Sequence, residues 1–409
     1  MKILKLALHW QILIALVAGV IFGLTMSPYA SYVTWMGDVF LRALKMIIVP
    51  LILSSIITGV AGIGNAENLG RLGIKTMGFY LLTSLMAIIT GVLLVNYFQP
   101  GTGADLGLKS DIGELAAVTK PISQTLIEII PDNLLKSFAD GNMLSVIFFA
   151  ILMGFFITRT SRKTNQYLRG FFESIFEVIM KITLFIIRFT PLGIFGIVSG
   201  VVSAQANNEG WISNISGSLG LYMLLVVAGI LIHGLITMSI ILKTIGKLNP
   251  LLHLKNMSTV LLTAFSTSSS NATLPLTMSE VENKDGVSNK IASFTLPLGA
   301  TINMNGTALY ECIAVLFIAQ AYGIDLNFGQ QMIVVLTAML AAIGSAGIPM
   351  AGIVMMTLIM SAVGIPLEGI GLILAVDRPL DMMRTAMNVY GDTCAAAVIA
   401  KSEGEQLKV

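Results

Sequence analysis

The sequence predicts an all-α integral membrane protein, and three observations carry that prediction. Of 409 residues 55% are hydrophobic and only 11% charged, with a mean hydropathy of +0.86; so little charge cannot cover a water-soluble particle of this size. Apolar runs of roughly 20 residues, the length needed to cross a hydrocarbon core, recur along the chain. After residue 250 small-residue and amide-rich stretches interrupt the apolar pattern, and in lipid a non-helical backbone is tolerated only where it lines a cavity enclosed by protein.

Six spanning helices are predicted before residue 250, at about 8–27, 36–61, 76–98, 143–158, 171–202 and 217–242. The start, MKILKLALHW, has a positive pair and then an apolar run, as a signal peptide has. No small-residue cleavage pattern ends it, so it reads as a retained first span. Basic residues in short loops set the orientation. Arg71 and Lys75 follow the second span, Arg159, Arg162, Lys163 and Arg169 the fourth, and Lys243, Lys247 and Lys255 the sixth, which makes those loops cytoplasmic. The connections near 28–35 and 203–216 lack Lys and Arg, and the loop at about 99–142 sets Lys109, Lys120 and Lys136 against six acids, so these face out. A cytoplasmic N-terminus suits Lys2 and Lys5.

A net charge of +2 implies neither nucleic acid nor an acidic partner, and lipid is the one partner that composition names. Cys312 and Cys394 lie in apolar segments and read as buried packing thiols rather than a disulfide or metal pair. His9, His233 and His253 are scattered without metal-like spacing.

The interruptions fall at about 266–273 (STSSSNAT), 299–307 (GATINMNGT) and 344–352 (GSAGIPMAG). The arrangement is doubled: each of two small-residue tips, 266–273 and 344–352, precedes a polar helix, 301–311 and 377–392. Paired interruptions of this kind point to a transporter site built from inverted repeats. The runs 251–265, 274–281 and 332–343 are each too short to cross alone, so each is predicted to enter the membrane and return. Helix packing by small residues is the competing explanation for any single break.

The segment 377–392, DRPLDMMRTAMNVYGD, holds five charged residues in sixteen, and an intramembrane ionisable residue is a functional hypothesis by default. At about 100° per residue, Asp377, Asp381, Arg384, Thr385, Asn388 and Asp392 fall within an arc of roughly 100°, with Tyr390 opposite. Mutual neutralisation of Asp381 and Arg384 at i and i+3 would leave Thr385, Asn388 and Asp392 on that stripe unexplained. Arg378, at the edge of the stripe, is expected to snorkel rather than bind. A guanidinium offers planar bidentate donors to a carboxylate, which Lys does not reproduce. Asp381 can accept from an ammonium, and Thr385 and Asn388 can complete the shell. A ligand with two carboxylates and one amine fits. The tips add donors, because a half-helix N-terminus carries about +0.5 of an elementary charge; Ser269, Ser270 and Asn271 are placed to hold a carboxylate that way.

STSSSNATLP, TINMNGTALYE, GSAGIPMAG and DMMRTAMNVYGD resemble, in order, the four signatures of the dicarboxylate/amino acid:cation symporter family, the glutamate and aspartate transporters. FLRALKMIIVPLI, at 40–52, is similar to that family's second span. The resemblance covers nearly all of 251–401. It implies eight transmembrane helices, two re-entrant helical hairpins, inverted repeats and an elevator-type homotrimer. A scaffold would comprise 1–70 (spans 1 and 2) and 101–205 (external loop, spans 4 and 5). A transport domain would comprise 71–100 (span 3) and 206–409: span 6, hairpin 1 at about 251–284, span 7 at about 288–324, hairpin 2 at about 330–364 and span 8 at about 368–401.

Carried over by resemblance, Arg384 grips the substrate's side-chain carboxylate while Asp381 and Thr385 hold its amine. Asn388 and Ser270 bind the main carboxylate, with Thr307 nearby and Gly352 in the second tip acting as lid. Arg384 implies an acidic substrate, and Asp381 an amino acid rather than a plain C4-dicarboxylate. Relatives that lack the arginine carry neutral amino acids.

Hard cations such as sodium take oxygen ligands, often carbonyls at broken helices. The resemblance implies one Na+ site of Asp392 with carbonyls of Gly299, Asn303 and Asn388, and a second of Thr301 and Met304 with carbonyls of Ala342, Ile343 and Ser345. A third would use Tyr80, Thr83, Ser84, Asn303 and position 305, where sodium-coupled relatives carry aspartate and this chain has Asn305. The amide keeps an oxygen but removes the charge that compensates a buried cation; weaker binding by its carbonyl is the alternative. Glu311 stands where sodium- and proton-coupled relatives carry a glutamate, and implies that protons contribute, a structural role being the alternative. Ser268 and Met382 occupy positions at one or other of which many relatives place an arginine.

Two other classes fit poorly. A pure anion channel needs neither the closely spaced Asp381 and Arg384 nor two lidding tips. A serine hydrolase would need a histidine partner near the serine run and a Gly-x-Ser-x-Gly turn, which the chain lacks, so the chain is not expected to be an enzyme. No organic cofactor is implied, and a prokaryotic cell (inner) membrane is the expected location.

Overall fold

The computed structural model describes residues 8–63, 70–104, 127, 130–140, 143–204, 211–344 and 351–409, and among them every regular element is helical. Among the described residues, four stretches are long and apolar enough to cross a membrane, Ser31–Ala61, Arg71–Phe98, Ser216–Thr244 and Asn289–Ala321. Helices α1 (Leu8–Thr25), α2 (Ser31–Ile63) and α3 (Gly70–Phe98) agree with the first three predicted spans. After the short α4 (Leu134–Asp140), α5 (Met143–Thr158) coincides with the fourth.

The predicted single span at 171–202 is two helices. α6 (Arg162–Ile187) and α7 (Thr190–Ala204) meet at an angle of 51°. Pro191 sits in the first turn of α7, where its missing N–H and its ring suit a helix start but bar continuation from the preceding helix. The sixth predicted span is α8 (Trp211–Leu231), a π-helical segment at Ile232–Thr237, and α9 (Met238–Thr244).

α1 and α2 pack on α7, and α2 also packs on α5 and α6. The α2–α7 crossing is close because both sides are glycine: a Cβ on Gly196 would lie 2.6 Å from the Gly37 nitrogen. α3 and α8 belong to another set of neighbours, built on the C-terminal helices.

Past residue 250 the helices are short and broken. α10 (Pro250–Asn256), capped by Asn249, leads into α11 (Ser258–Thr267). Ser268 ends α11 in the left-handed region at φ 50°, and Ser269 caps α12 (Ser270–Glu280) by accepting from the Ala272 N–H at 3.3 Å. The serine run thus turns one helix into the next, and α11 and α12 pack on each other. α13 (Asn289–Ile302) and α14 (Asn305–Ala321) are separated at Asn303 and Met304, whose φ/ψ are not helical. The predicted polar helix at 301–311 therefore contains the break itself: the Asn303 amide is spent on a tertiary contact, described below.

α15 (Phe328–Gly344) and α16 (Ala351–Val363) pack on each other; their connection, with Ser345, lies outside the described residues. α17 (Ile370–Ser402) runs 33 residues through Pro379 and contacts α8, α11, α13 and α14.

Candidate functional site

The site is the polar face of α17 against the break between α13 and α14. A buried break leaves N–H groups at the start of α14 without intrahelical partners. Asn388 supplies one: its Oδ1 accepts from Gly306 N at 2.8 Å and Thr307 N at 3.3 Å. Its Nδ2 donates to Thr307 Oγ1 at 3.0 Å and reaches Met304 Sδ at 3.2 Å. On the other side of the break Asn303 Nδ2 donates to Asp392 Oδ1 at 2.8 Å. Two turns of α17 thus replace the hydrogen bonds that α13 and α14 give up.

The charged end of the face is neutralised internally. Arg384 donates through Nε and Nη2 to Asp381 Oδ1 at 3.0 and 2.8 Å, and its Nη1 lies 3.1 Å from Asp377 Oδ1. The guanidinium covers the Tyr310 ring at 4.3 Å from the centroid, while Tyr310 OH donates to Asp377 Oδ1 at 2.8 Å. Asp377, Asp381 and Arg384 are all buried. A fork-shaped cation is therefore held in one orientation by two carboxylates and an aromatic face.

Glycines let the parts approach. A Cβ on Gly306 would lie 2.6 Å from the Arg384 carbonyl oxygen, and one on Gly352, at the start of α16, 2.8 Å from Arg384 Nη1. The second helix pair therefore abuts the guanidinium. A Cβ on Gly299 would lie 2.5 Å from Tyr80 OH and 2.7 Å from Asp392 Cγ.

The profile described as "Sodium:dicarboxylate symporter family" matches residues 8–402 of this chain. The chain belongs to that family. It is 36% identical to the proton/glutamate-aspartate symporter of Escherichia coli (strain K12), over 98% of this chain and 94% of that one. It is 35% identical to a proton/sodium-glutamate symport protein of Geobacillus stearothermophilus (98% and 96%), and 33% identical to excitatory amino acid transporter 3 of Mus musculus (98% and 87%). A symporter family is not an enzyme family, and its membership together with the apolar helices makes this a multi-pass membrane protein.

In this symporter-family chain the predicted residues Asp381, Arg384, Asn388, Thr307 and Gly352 converge, as do Gly299, Asn303, Asp392 and Tyr80. Thr385 is buried on the same helix. Ser270 is buried at the first position of α12, which packs on α17; Ser269 and Asn271 stand beside it. Asn305 Oδ1 accepts from Ser84 Oγ at 2.7 Å, and Thr83 is buried one residue earlier, its hydroxyl donating to Phe79 O at 2.9 Å. The second predicted cation set is described only in part. Thr301 is exposed and donates to Leu298 O at 2.9 Å, Ala342 is buried, the Ile343 carbonyl lies in the last turn of α15, and Ser345 is outside the described residues.

Arg378, expected to snorkel, is half-exposed, and its Nη1 donates to Asp381 Oδ2 at 3.2 Å, because Asp381 has an oxygen left over after Arg384 takes the other. Tyr310 and Asp377 were missing from the predicted ligand set. Asp377 stands seven residues before Arg384, two turns along one face, a spacing that signals the contact; Tyr310 comes from another helix and leaves no such signal.

Proposed function

We propose that the chain is a secondary active transporter for cation-coupled uptake of acidic amino acids, L-aspartate or L-glutamate, driven by Na+ with a contribution from H+. The observation that carries this reading is the buried Arg384, set beside Asp381 and Asn388 on one face of α17. A guanidinium for one carboxylate, a carboxylate for an ammonium and an amide for a second carboxylate suit a ligand with all three groups. The names of the Escherichia coli and Geobacillus relatives point to the same substrates and to protons and sodium.

In this reading Arg384 takes the side-chain carboxylate, Asp381 and Thr385 the amine, and Asn388, Thr307 and the tip residues Ser269, Ser270 and Asn271 the main carboxylate, with Gly352 in the lid. One Na+ takes Asp392 with the carbonyls of Gly299, Asn303 and Asn388; a second takes Thr301, Met304, Ala342, Ile343 and Ser345. The third place, at Tyr80, Thr83, Ser84, Asn303 and Asn305, is weakened. Ser84 already occupies the Asn305 oxygen, and Asn305 Nδ2, which has no partner among the described residues, offers a donor.

Eight spans and two re-entrant hairpins account for the helices: α1, α2, α3, α5, α6–α7, α8–α9, α13–α14 and α17 cross, and α10–α12 and α15–α16 enter and return. The scaffold (1–70, 101–205) holds still while the transport domain (71–100, 206–409) slides as an elevator. The mutual packing of α1, α2, α5, α6 and α7 supports that division. A homotrimer through the scaffold, in a prokaryotic cell membrane, completes the assembly; exposed apolar side chains on α6 such as Phe171, Val178 and Phe185 suit contact with lipid or a neighbouring copy.

The test is uptake of labelled L-aspartate into liposomes containing the purified protein, with an imposed inward sodium gradient compared with an imposed inward proton gradient. Sodium-driven uptake that is lost in Arg384→Ala supports the reading. Failure under both gradients removes the substrate assignment, and labelled neutral amino acids and C4-dicarboxylates then become the compounds to try. A second reading, proton-driven and sodium-independent, is favoured by Glu311, which is buried with neither carboxyl oxygen partnered among the described residues. It requires uptake under the proton gradient alone and its loss in Glu311→Gln.

A further inference from the structure

Behind the polar face lies a second buried cluster that takes no part in ligand binding as assigned above. His253, Asp285 and Thr393 are fully buried and come from three segments: α10, the π-helical turn Val281–Asp285 that follows α12, and α17. His253 Nδ1 lies 2.6 Å from Asp285 Oδ2, and Nε2 lies 3.1 Å from Thr393 Oγ1. Asn256 Nδ2 donates to Asp285 Oδ1 at 2.8 Å. The turn that carries Asp285 is itself held: its carbonyl accepts from Lys408 N at 2.8 Å, and Gly286 follows in the left-handed region at φ 80°.

The proton inventory gives this cluster a direction. Thr393 Oγ1 donates to Tyr390 O at 2.8 Å, so its oxygen accepts from the His253 Nε2–H. Asp285 Oδ2 holds the other ring nitrogen, Nδ1, so the ring is fixed at both ends. A buried pair of this kind is often no more stabilising than apolar residues of the same volume. What it adds is a directional anchor on Thr393, the residue after Asp392. Asp392 is tied forward to Asn303 and Thr393 backward to His253, so this turn of α17 is pinned from both sides against rotation.

We propose that His253 and Asp285 are positioning residues for the cation site at Asp392, acting through Thr393. The proposal rests on the reading of Asp392 as a sodium ligand. Outer-shell partners that orient a ligand typically change metal affinity about 10- to 100-fold when removed. A structural role alone would lower yield and melting temperature, yet leave the folded fraction with ordinary binding constants.

The experiment is sodium titration of aspartate binding to the purified full-length protein, together with aspartate affinity at saturating sodium, for wild type, His253→Phe, Asp285→Leu and Asp285→Asn. His253→Phe and Asp285→Leu are expected to raise the half-saturating sodium concentration about tenfold, with aspartate affinity at saturating sodium within about twofold. Asp285→Asn can donate to a neutral Nδ1 and still accept from Asn256, so it is expected to restore near wild-type sodium dependence. If His253→Phe fails to fold, His253→Gln, which keeps a donor toward Thr393, supplies the intermediate value. Unchanged sodium dependence in the folded variants, or an Asp285→Asn as impaired as Asp285→Leu, overturns the proposal. Wild-type protein that binds aspartate independently of sodium overturns the cation reading instead, and the proposal with it.

Discussion

Arg384 Nη2 lies 2.8 Å from Asp381 Oδ1, one turn away on the same helix. The two groups proposed to take opposite charges of the substrate are therefore engaged with each other, and on that proposal binding is an exchange: one internal ion pair gives way to two external ones. A zwitterionic acid with a second carboxylate compensates both partners, whereas a plain dicarboxylate draws Arg384 away and leaves Asp381 with the half-exposed Arg378 alone. On the proposed roles, that asymmetry favours amino acids over plain dicarboxylates.

The guanidinium's shape matters to this exchange. Arg384→Lys keeps the charge but cannot donate to Asp381 through two nitrogens while reaching Asp377 through a third. The loss of one charge-assisted hydrogen bond, about 1.5–3 kcal/mol, predicts aspartate binding weaker by roughly 10- to 100-fold, measurable by calorimetry. Arg384→Ala leaves the buried Asp377 without its cation and Asp381 with Arg378 alone, and unfolding is expected to become easier by about 3–5 kcal/mol. Adding Asp381→Asn to Arg384→Ala should recover part of that stability and none of the binding.

Asn388 closes the start of α14 from another helix. Asn388→Ala removes the acceptor for Gly306 N and Thr307 N, a capping loss of about 1–2 kcal/mol that a thermal melt would register. Asn388→Asp keeps the acceptor at the positive end of a helix, but it loses the donor to Thr307 Oγ1. Its melting temperature should therefore stay near wild type while aspartate affinity falls. Equal stability losses in both variants would contradict the capping role.

Residues 403–409 are tied to the base of α3 by charge. Glu403 accepts from Lys75 Nζ at 2.5 Å and from Arg71. These hydrogen bonds, Lys75 first, hold its carboxyl below the usual glutamate range. A depressed carboxylate pKa contributes stability above the unfolded value, and that contribution is lost as pH falls through the folded one. The protection factors of this tail, its hydrogen exchange relative to the intrinsic rate at each pH, should fall on acidification below the ordinary glutamate range in wild type, and be low and insensitive to that change in Glu403→Gln.

The elements that the sequence foretold are those whose signal is local. Apolar runs located α1, α2, α3 and α5 because composition alone marks an apolar helix, and of these α2 and α3 are also long enough to cross a membrane. The stripe Asp377–Asp381–Arg384–Asn388–Asp392 followed from helical periodicity, and three of its members meet in one ion-pair cluster. The bend between α6 and α7 was missed because the hydropathy stays high across it and only Pro191 marks it. The aromatic wall under Arg384 was missed because Tyr310 reaches it across helices. The clamp at His253 was illegible for the same reason: its partners Asp285 and Thr393 lie 32 and 140 residues away.

Asn305 offers the sharpest test of ion coupling. Its Oδ1 is taken by Ser84, its Nδ2 has no partner among the described residues, and Gly391 lets that amide come close, since a Cβ there would lie 3.0 Å from Nδ2. If this is the third cation place as proposed, an N–H donor there repels what a carboxylate would attract. Asn305→Asp replaces the donor with an acceptor and adds the missing charge without a change of size. In a buried place that charge is costly unless a cation accompanies it. Sodium titration of aspartate binding should therefore steepen in Asn305→Asp, with a higher Hill coefficient than wild type, and the variant's melting temperature should rise with sodium more strongly than wild type's. A lower melting temperature in Asn305→Asp that sodium fails to restore would mean that this pocket, even when charged, does not complete a cation's shell, and that the amide stands there as a packing residue.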